Sequence, residues 1–189
     1  MTLLVDGRPG AYPVLINRFY NVASDRVAAH AMTFVGRSLY NDDSEFGAEC
    51  LARLQAFADK RIEHAKHNRD ADHPEIAAMG WWFASSRFPK KWALDLLTTV
   101  ITIAGRVEHE HLVMEELATV AKDFPAEAIA AIRLLAESPH RSWAFIGSQA
   151  EVAKILHAGL GSVQSDATRD LIHLLGALGY LEYRELLAQ

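Results

Sequence analysis

The sequence has a single cysteine, Cys50, and no apolar run of the length that a membrane-spanning helix needs. One cysteine excludes an internal disulfide and is typical of a reducing compartment, so we expect a cytoplasmic protein. The most apolar stretch, 92–105, is interrupted by Asp95 and by threonines, and we expect no membrane contact. Met1 to Val5 are followed at once by a turn rich in Gly and Pro, which predicts no secretory signal peptide.

Motifs that bind phosphate or activate a nucleophile are also missing. The glycines occur singly and never in GxxxxGK or GxGxxG order, and no serine can be matched with a histidine and an acid by a known motif. His64 and His67 share one helix face, but no third ligand is evident for a metal. The EHEH run at 108–111 resembles HExxH only superficially, because its histidines are two residues apart and diverge on a helix. We therefore expect no cofactor and no enzyme activity.

Composition sets further limits. The chain has 189 residues, of which 50% are hydrophobic, and this is enough for one domain with a substantial core. A formal net charge of −5 disfavours broad electrostatic binding to nucleic acid, although a local basic groove stays compatible with it. Cys50 falls in an apolar stripe, which predicts a small core residue and not a nucleophile.

The pattern of apolar residues is helical from Pro13 onward, so we predict one helical domain over 13–189. Residues 1–12 contain a turn between short apolar runs and are predicted to form a small hairpin or an extension. Ser24 begins a helix whose predicted core stripe is Val27, Ala31, Phe34, Val35 and Leu39, and a further helix follows the acidic residues at 42–45 and runs to about Asn68. Prolines at first-turn positions predict helices near 74–87, 89–104, 108–124 and 125–138, and the segment 138–147 is predicted to be an irregular link.

Two amphipathic helices are predicted between Ser148 and Gly179. Ser148 and Glu151 have the spacing of a capping box, and Ser165 with Asp166 begins the second helix, which Gly179 ends. Neither helix is long enough to be stable alone, so we expect both to bury their leucine-rich stripes against each other and against a neighbour. The closing segment, 180–187, is predicted either to fold back as a lid or to pair two copies as a homodimer.

The run SDATRDLIHLLGALG resembles the second helix of a HEAT-type repeat, with Asp166 and Arg169 at the positions where such repeats place an acidic residue and an arginine. The resemblance implies a short α-solenoid of stacked antiparallel helix pairs, in which this pair of side chains ties one repeat to the next. The segments HPEIAAMGWWFASSRFPKKWALDLL and GALGYLEYRELL are similar to the C-terminal helical regions of large bacterial multidomain proteins, some of them associated with ATPase or phage-defence modules. This second resemblance implies a part of a larger assembly.

In an alternating stack of helices, the predicted turns assign the charges to two edges. The candidate partner-binding residues lie on one basic edge: Lys60, Arg61, His64, His67, Arg69, Arg141 and Trp143. Trp143 beside Arg141 is the candidate exposed anchor, because aromatic and Arg side chains contribute much of the energy of interfaces. The alternative interpretation is that these cations only complement helix dipoles and that the tryptophan packs inward.

The leading hypothesis is therefore an all-α, non-catalytic module for protein interaction or scaffolding, which binds another protein or a neighbouring domain. The alternative is a helical-repeat protein that binds nucleic acid through the basic edge at 60–69, as some HEAT-like DNA glycosylases use a concave basic face. A third hypothesis is a metal-dependent enzyme that uses His64, His67 or His109. The sequence leaves open the partner, the oligomeric state, the binding edge and whether the chain is a piece of a longer protein.

Overall fold

A computed structural model describes residues 24–41, 47–67, 73–140 and 144–188. The α-helices within these ranges are α1 Asp25–Asn41, α2 Ala48–Lys66, α3 Pro74–Ala77, α4 Gly80–Ala84, α5 Lys90–Ala104, α6 Glu110–Val120, α7 Pro125–Glu137, α8 Ala144–Gly147, α9 Gln149–Leu160 and α10 Ser165–Ala177, followed by a 3-10 helix, Leu181–Ala188. The same ranges contain no β-strand, which confirms the all-α prediction for this part of the chain. The predicted hairpin or extension at 1–12 and the first part of the predicted helical domain, residues 13–23, lie outside the described residues.

Successive helices alternate between two rows. The first row consists of α1, the α3–α4 pair, α6 and α9, and the second of α2, α5, α7 and α10. Each helix contacts the next member of its own row, as α4 does with α6 and α5 with α7. Contacts of α3 with α5, of α6 with α7 and of α9 with α10 join the two rows. The apolar stripes of both rows therefore face one shared core.

The core lies between the rows and is built from stripes at helical spacing. In α5, Leu94, Leu97 and Ile101 recur every three or four residues and are almost fully buried. Large side chains that are fully buried include Trp82, Met32, Leu94, Leu97, Met114, Leu117 and Ile132. Gly105 and Gly179 end α5 and α10 with φ angles of 66° and 103°, which confirms the predicted helix ends.

The helix predicted at 74–87 is broken in two. Around Ala78 and Met79 the backbone forms bonds of the 3-10 type, from Met79 N to Ile76 O (2.9 Å) and from Trp82 N to Met79 O (3.0 Å). Every residue from Glu75 to Ala84 is buried, so this segment has no solvent-facing side. Gly80 lets it approach α6 closely, since a Cβ there would lie 2.6 Å from the backbone oxygen of Glu108. Because the segment is packed on all sides, it does not form the amphipathic helix that the sequence predicts.

The buried face of α1 also differs from the prediction. Val27 and Phe34 were expected in the core, but they are 46% and 58% exposed. The stripe that faces the core is Ala28, Ala31, Met32, Val35 and Leu39. Gly36 explains the difference, because it lies on that face where any Cβ would overlap the Cβ of Trp81. The helix therefore turns its glycine toward α4, and Val27 and Phe34 are left at the surface.

The C-terminal segment folds back onto the last two helices. The 3-10 helix contacts α9 and α10, and Tyr183 is buried in that contact. The guanidinium of Arg184 covers Gly176, where a longer side chain would collide with it. This arrangement corresponds to the lid of the two predicted alternatives.

Two local predictions are met in part. Ser148 is the N-cap of α9 as predicted, but its side chain makes no capping hydrogen bond. The link at 138–147, predicted to be irregular, contains the short helix α8, in which Phe145 is buried and Ile146 is exposed. The predicted capping box at 42–45 lies outside the described residues, and α2 begins after Gly47.

No helix in the described ranges combines the length and the apolar character that crossing a bilayer requires.

Candidate interaction surfaces

The basic edge predicted near 60–69 is exposed only in part. Lys60, His64 and His67 lie on the exposed side of α2 near its C-terminal end. Lys66 pairs with Glu63 over 3.3 Å, and Nδ1 of His67 lies 2.7 Å from the Glu63 carbonyl oxygen. These local contacts are typical of a solvated helix end, as the alternative interpretation proposed. Arg69, Arg141 and Trp143 lie outside the described residues.

Arg61 points inward and not toward the edge. Its Nη2 lies 2.6 Å from Oε1 of Glu75, and both side chains are largely buried. The pair joins α2 to the buried α3, where Glu75 has no solvent-facing side. Removing Arg61 would leave the buried carboxylate of Glu75 without this ion pair, which is unfavourable. We therefore assign Arg61 to the fold, in place of the partner-binding role predicted for it.

A cleft of about 720 Å³ lies between α2 and α5. Its lining is Ala65, Lys66, His73, Thr98, Thr99, Thr102 and Ile103. Thr99 and Thr102 donate their hydroxyl protons to backbone carbonyls one turn back, each over 2.7 Å. The lining therefore mixes apolar side chains with hydroxyl groups whose protons are already engaged.

The groups that the enzyme hypothesis needs do not converge in the described ranges. There, no three His, Cys, Asp or Glu side chains lie close enough together to hold a metal ion. Cys50 is partly buried on α2, and burial raises the pKa of its thiol, while Arg53 acts in the opposite direction. A thiol with a raised pKa is a poor nucleophile at neutral pH.

The polar links along the second row differ from the predicted one. Asp166 and Arg169 are both exposed, and neither forms an ion pair within the described residues. Instead, Arg133 of α7 donates to the backbone oxygen of Ala167 in α10 over 3.1 Å. Lys91 of α5 similarly reaches Glu127 of α7 over 3.2 Å. Adjacent helices are thus joined by polar contacts, but through residues that the sequence pattern did not single out.

A second cleft, of about 590 Å³, lies at the C-terminal end of the rows. It is bordered by α7, α8 and the turn after α10, with Leu135, Phe145, Ile146, Leu178, Tyr180 and Glu182 among its lining residues. Ile146 and Leu178 are half exposed there. The cleft therefore has a mixed lining, with apolar side chains, Ser138 and the carboxylate of Glu182.

Trp81 is the centre of an aromatic and basic cluster where α1, α4 and α6 meet. The ring of His109 packs against it with centroids 4.2 Å apart, and Tyr40 packs edge-on at 5.5 Å. The guanidinium carbon of Arg37 lies 6.0 Å from the centroid of the Trp81 ring, which is within cation–π range. His109 has a left-handed backbone with φ of 56°, which is uncommon outside glycine.

The electrostatics of His109 follow from this cluster. Burial lowers the pKa of its imidazole, with Arg37 and His111 acting in the same direction and Glu108 against it. Glu108 is itself held in place, since Thr33 of α1 donates to its Oε2 over 3.1 Å. The link before α6 therefore ties α1 to α6 and holds the imidazole of His109 against the indole.

Sequence reasoning missed this cluster and the exposed face of α1 beside it. Both depend on which side of α1 enters the core, and apolar residues occur on two overlapping stripes of that helix. The available signal was Gly36, a glycine inside a helical pattern, which indicates a close approach to another element.

No known protein-family model, curated protein or solved structure matches the chain.

Proposed function

We propose that the chain is a non-catalytic module for protein interaction or scaffolding, built as a short α-solenoid of HEAT-like helical repeats and acting in the cytoplasm. The observation that carries this proposal is the contact pattern in two rows, in which α4 contacts α6, α6 contacts α9, α5 contacts α7 and α7 contacts α10. In solenoid proteins each repeat packs on its neighbours, and the stack offers an extended surface to a partner.

The helices fall into consecutive pairs that suit this architecture. The pairs that contact each other are the α3–α4 segment with α5, α6 with α7, and α9 with α10, while α1 and α2 precede them in the chain. The resemblance to a HEAT-type repeat covers the last helix of the last pair, which is where the second helix of a repeat belongs. Arg133 and Lys91 join successive pairs through the second row, as links between repeats would.

The two ends of such a stack differ. At the C-terminal end the 3-10 helix covers α9 and α10, as a terminal cap does in a repeat array. Tyr183 is buried in that contact, and the proposed module binds its partner through the sides of the stack. This use suits a component of a larger assembly, which is what the second resemblance implies.

The proposal is tested by capturing the tagged full-length chain from its native host under mild conditions, with quantitative mass spectrometry. The expected result is one or a few proteins enriched in near-stoichiometric amounts over the tag alone, in complexes that survive gel filtration. A monodisperse chain that recovers no protein in repeated captures would contradict the proposal. Binding of single-stranded DNA or RNA that weakens steeply between two salt concentrations would instead favour the nucleic-acid alternative.

A further inference from the structure

The exposed side of α1 carries an apolar strip that nothing in the described structure covers. Val27 and Phe34 are 46% and 58% exposed and lie seven residues apart, so they project from the same side of the helix. A single exposed apolar residue is ordinary, whereas two that align on one helix offer an amphipathic partner helix two points of apolar contact. Two positions one heptad apart match the spacing at which a second helix packs.

Basic side chains flank this strip along its length. Arg26, His30 and Arg37 are exposed, and at about 100° per residue they fall on the side of α1 next to Val27 and Phe34. None of the residues of α1 between 26 and 41 is acidic. The whole chain carries a net charge of −5, so this basic strip is a local feature that runs against the overall charge.

Part of the same face is packed against Trp81. Gly36 brings α1 against Trp81, and Trp81 then fixes Tyr40 by an edge-on contact and holds Arg37 near its ring. A side chain that is already ordered loses less conformational entropy on binding. Arg37 is therefore placed to form an ion pair at low entropic cost.

We propose that the α1 face, formed by Arg26, Val27, His30, Phe34 and Arg37, docks an acidic amphipathic helix of a partner protein. Its apolar residues would cover Val27 and Phe34, and its carboxylates would face the two arginines. This inference depends on the proposed function and names the surface and the kind of partner.

A single-stranded nucleic acid fits the same face less well. Base stacking needs free aromatic planes, and Tyr40 is already engaged with Trp81, which leaves Phe34 as the one exposed aromatic platform among these residues. Val27 offers no plane at all. The acidic charge of the whole chain also opposes a polyanion, whereas it opposes a short acidic helix much less.

The first test places a photoreactive phenylalanine analogue at position 34 of the full chain in its native host, and at position 157, exposed on α9, as the matched control. The expected cross-linked product forms at position 34 and not at position 157. The partner peptide in that product is predicted to be helical, with apolar residues a heptad apart and Asp or Glu residues beside them. Cross-links from position 34 to nucleic acid, to a second copy of the chain or to a peptide without acidic residues would overturn the inference. The absence of any product specific to position 34 would also overturn it.

The second test uses a synthetic peptide of the cross-linked helix. Arg37→Glu and Phe34→Ala are each expected to weaken binding about tenfold at low salt, and Arg37→Lys much less. Arg26→Glu, about three helical turns from the Trp81 cluster, gives the same test if the change at Arg37 disturbs packing. Unchanged affinity in both charge reversals would overturn the inference. Protein capture at the control position alone would overturn this inference and leave the proposed function standing. Capture at neither position would overturn this inference, and the proposed function is contradicted only if the affinity capture described above also recovers no protein.

Discussion

The hydroxyl of Tyr183 donates a hydrogen bond to the backbone oxygen of Phe145 over 3.0 Å, in a buried environment. The two residues are far apart in the sequence, and the bond joins the 3-10 helix to α8. The ring of Tyr180 packs against Phe145 in the same place, with centroids 5.1 Å apart. This contact holds the C-terminal segment over the end of the helix rows.

Tyr183→Phe is expected to lower the free energy of unfolding by about 1 kcal/mol, because the buried carbonyl of Phe145 loses a donor. Urea unfolding followed by circular dichroism measures the change. Tyr180→Phe is the matched control, since no described residue forms a hydrogen bond with that hydroxyl, and it should change stability little. An equal loss in both variants would show that the hydrogen bond is not the cause.

Stability is also expected to fall at alkaline pH. Burial raises the pKa of Tyr183 far above its ordinary value, with Glu182 and other groups acting in the same direction. The unfolded tyrosine loses its proton near pH 10, whereas the folded one keeps it, so the free energy of unfolding decreases as pH rises above about 10. Unfolding measured at pH 8.5, 10 and 11 should show this loss in the natural chain, and Tyr183→Phe should remove a clear part of it.

The opposite dependence is expected from His109. Burial lowers the pKa of this imidazole below 6.5, so the unfolded state binds its proton more readily than the folded state. The stabilising contribution of His109 is fully present at pH values above about 6.5, the pKa of His in the unfolded chain. It is lost as pH falls below that value, because the unfolded imidazole then binds a proton. His109→Gln should therefore lose less stability between pH 7.5 and pH 5.5 than the natural chain. His157→Gln, at an exposed position of α9, is the control and should keep the natural profile.

Two glycines in helices should respond in opposite directions to alanine. A Cβ at Gly159 would overlap the Thr168 hydroxyl and lie 2.8 Å from Ile129, so Gly159→Ala should destabilise the chain by about 1–3 kcal/mol. A Cβ at Gly147 meets no atom within 4 Å, so Gly147→Ala should be neutral or stabilise by up to about 1 kcal/mol. Thermal and urea unfolding measure both. A neutral result at Gly159 would contradict the close approach of α9 to α7 and α10.

The helices α5, α7, α9 and α10 follow from the sequence because prolines, glycines and one dominant apolar stripe mark each of them. The break at Ala78 and Met79 does not follow from the sequence, because it arises from packing on all sides of the segment. Such tertiary contacts override the local helical preference. For α1, the choice between two overlapping stripes is decided by Trp81, which lies in another helix.

The basic edge shows the same limit. Charge and helical position identify Lys60, Arg61 and His64 as one group of cations. Only the position of Glu75 in the folded chain separates Arg61 from the other two, because its carboxylate draws that side chain inward. The ion pair depends on a contact between elements, and no spacing within α2 encodes it.

The enclosure of the segment from Glu75 to Ala84 sets a minimum size for the molecule. Its walls are α1 on one side, α5 on another and α6 on a third, so deleting any of these would uncover Trp82 or its neighbours. Repeat arrays can often be shortened one unit at a time, but this chain cannot lose α1 and keep the remainder intact. Truncations and gene fusions that preserve folding should therefore keep α1 through α6 together as an indivisible block.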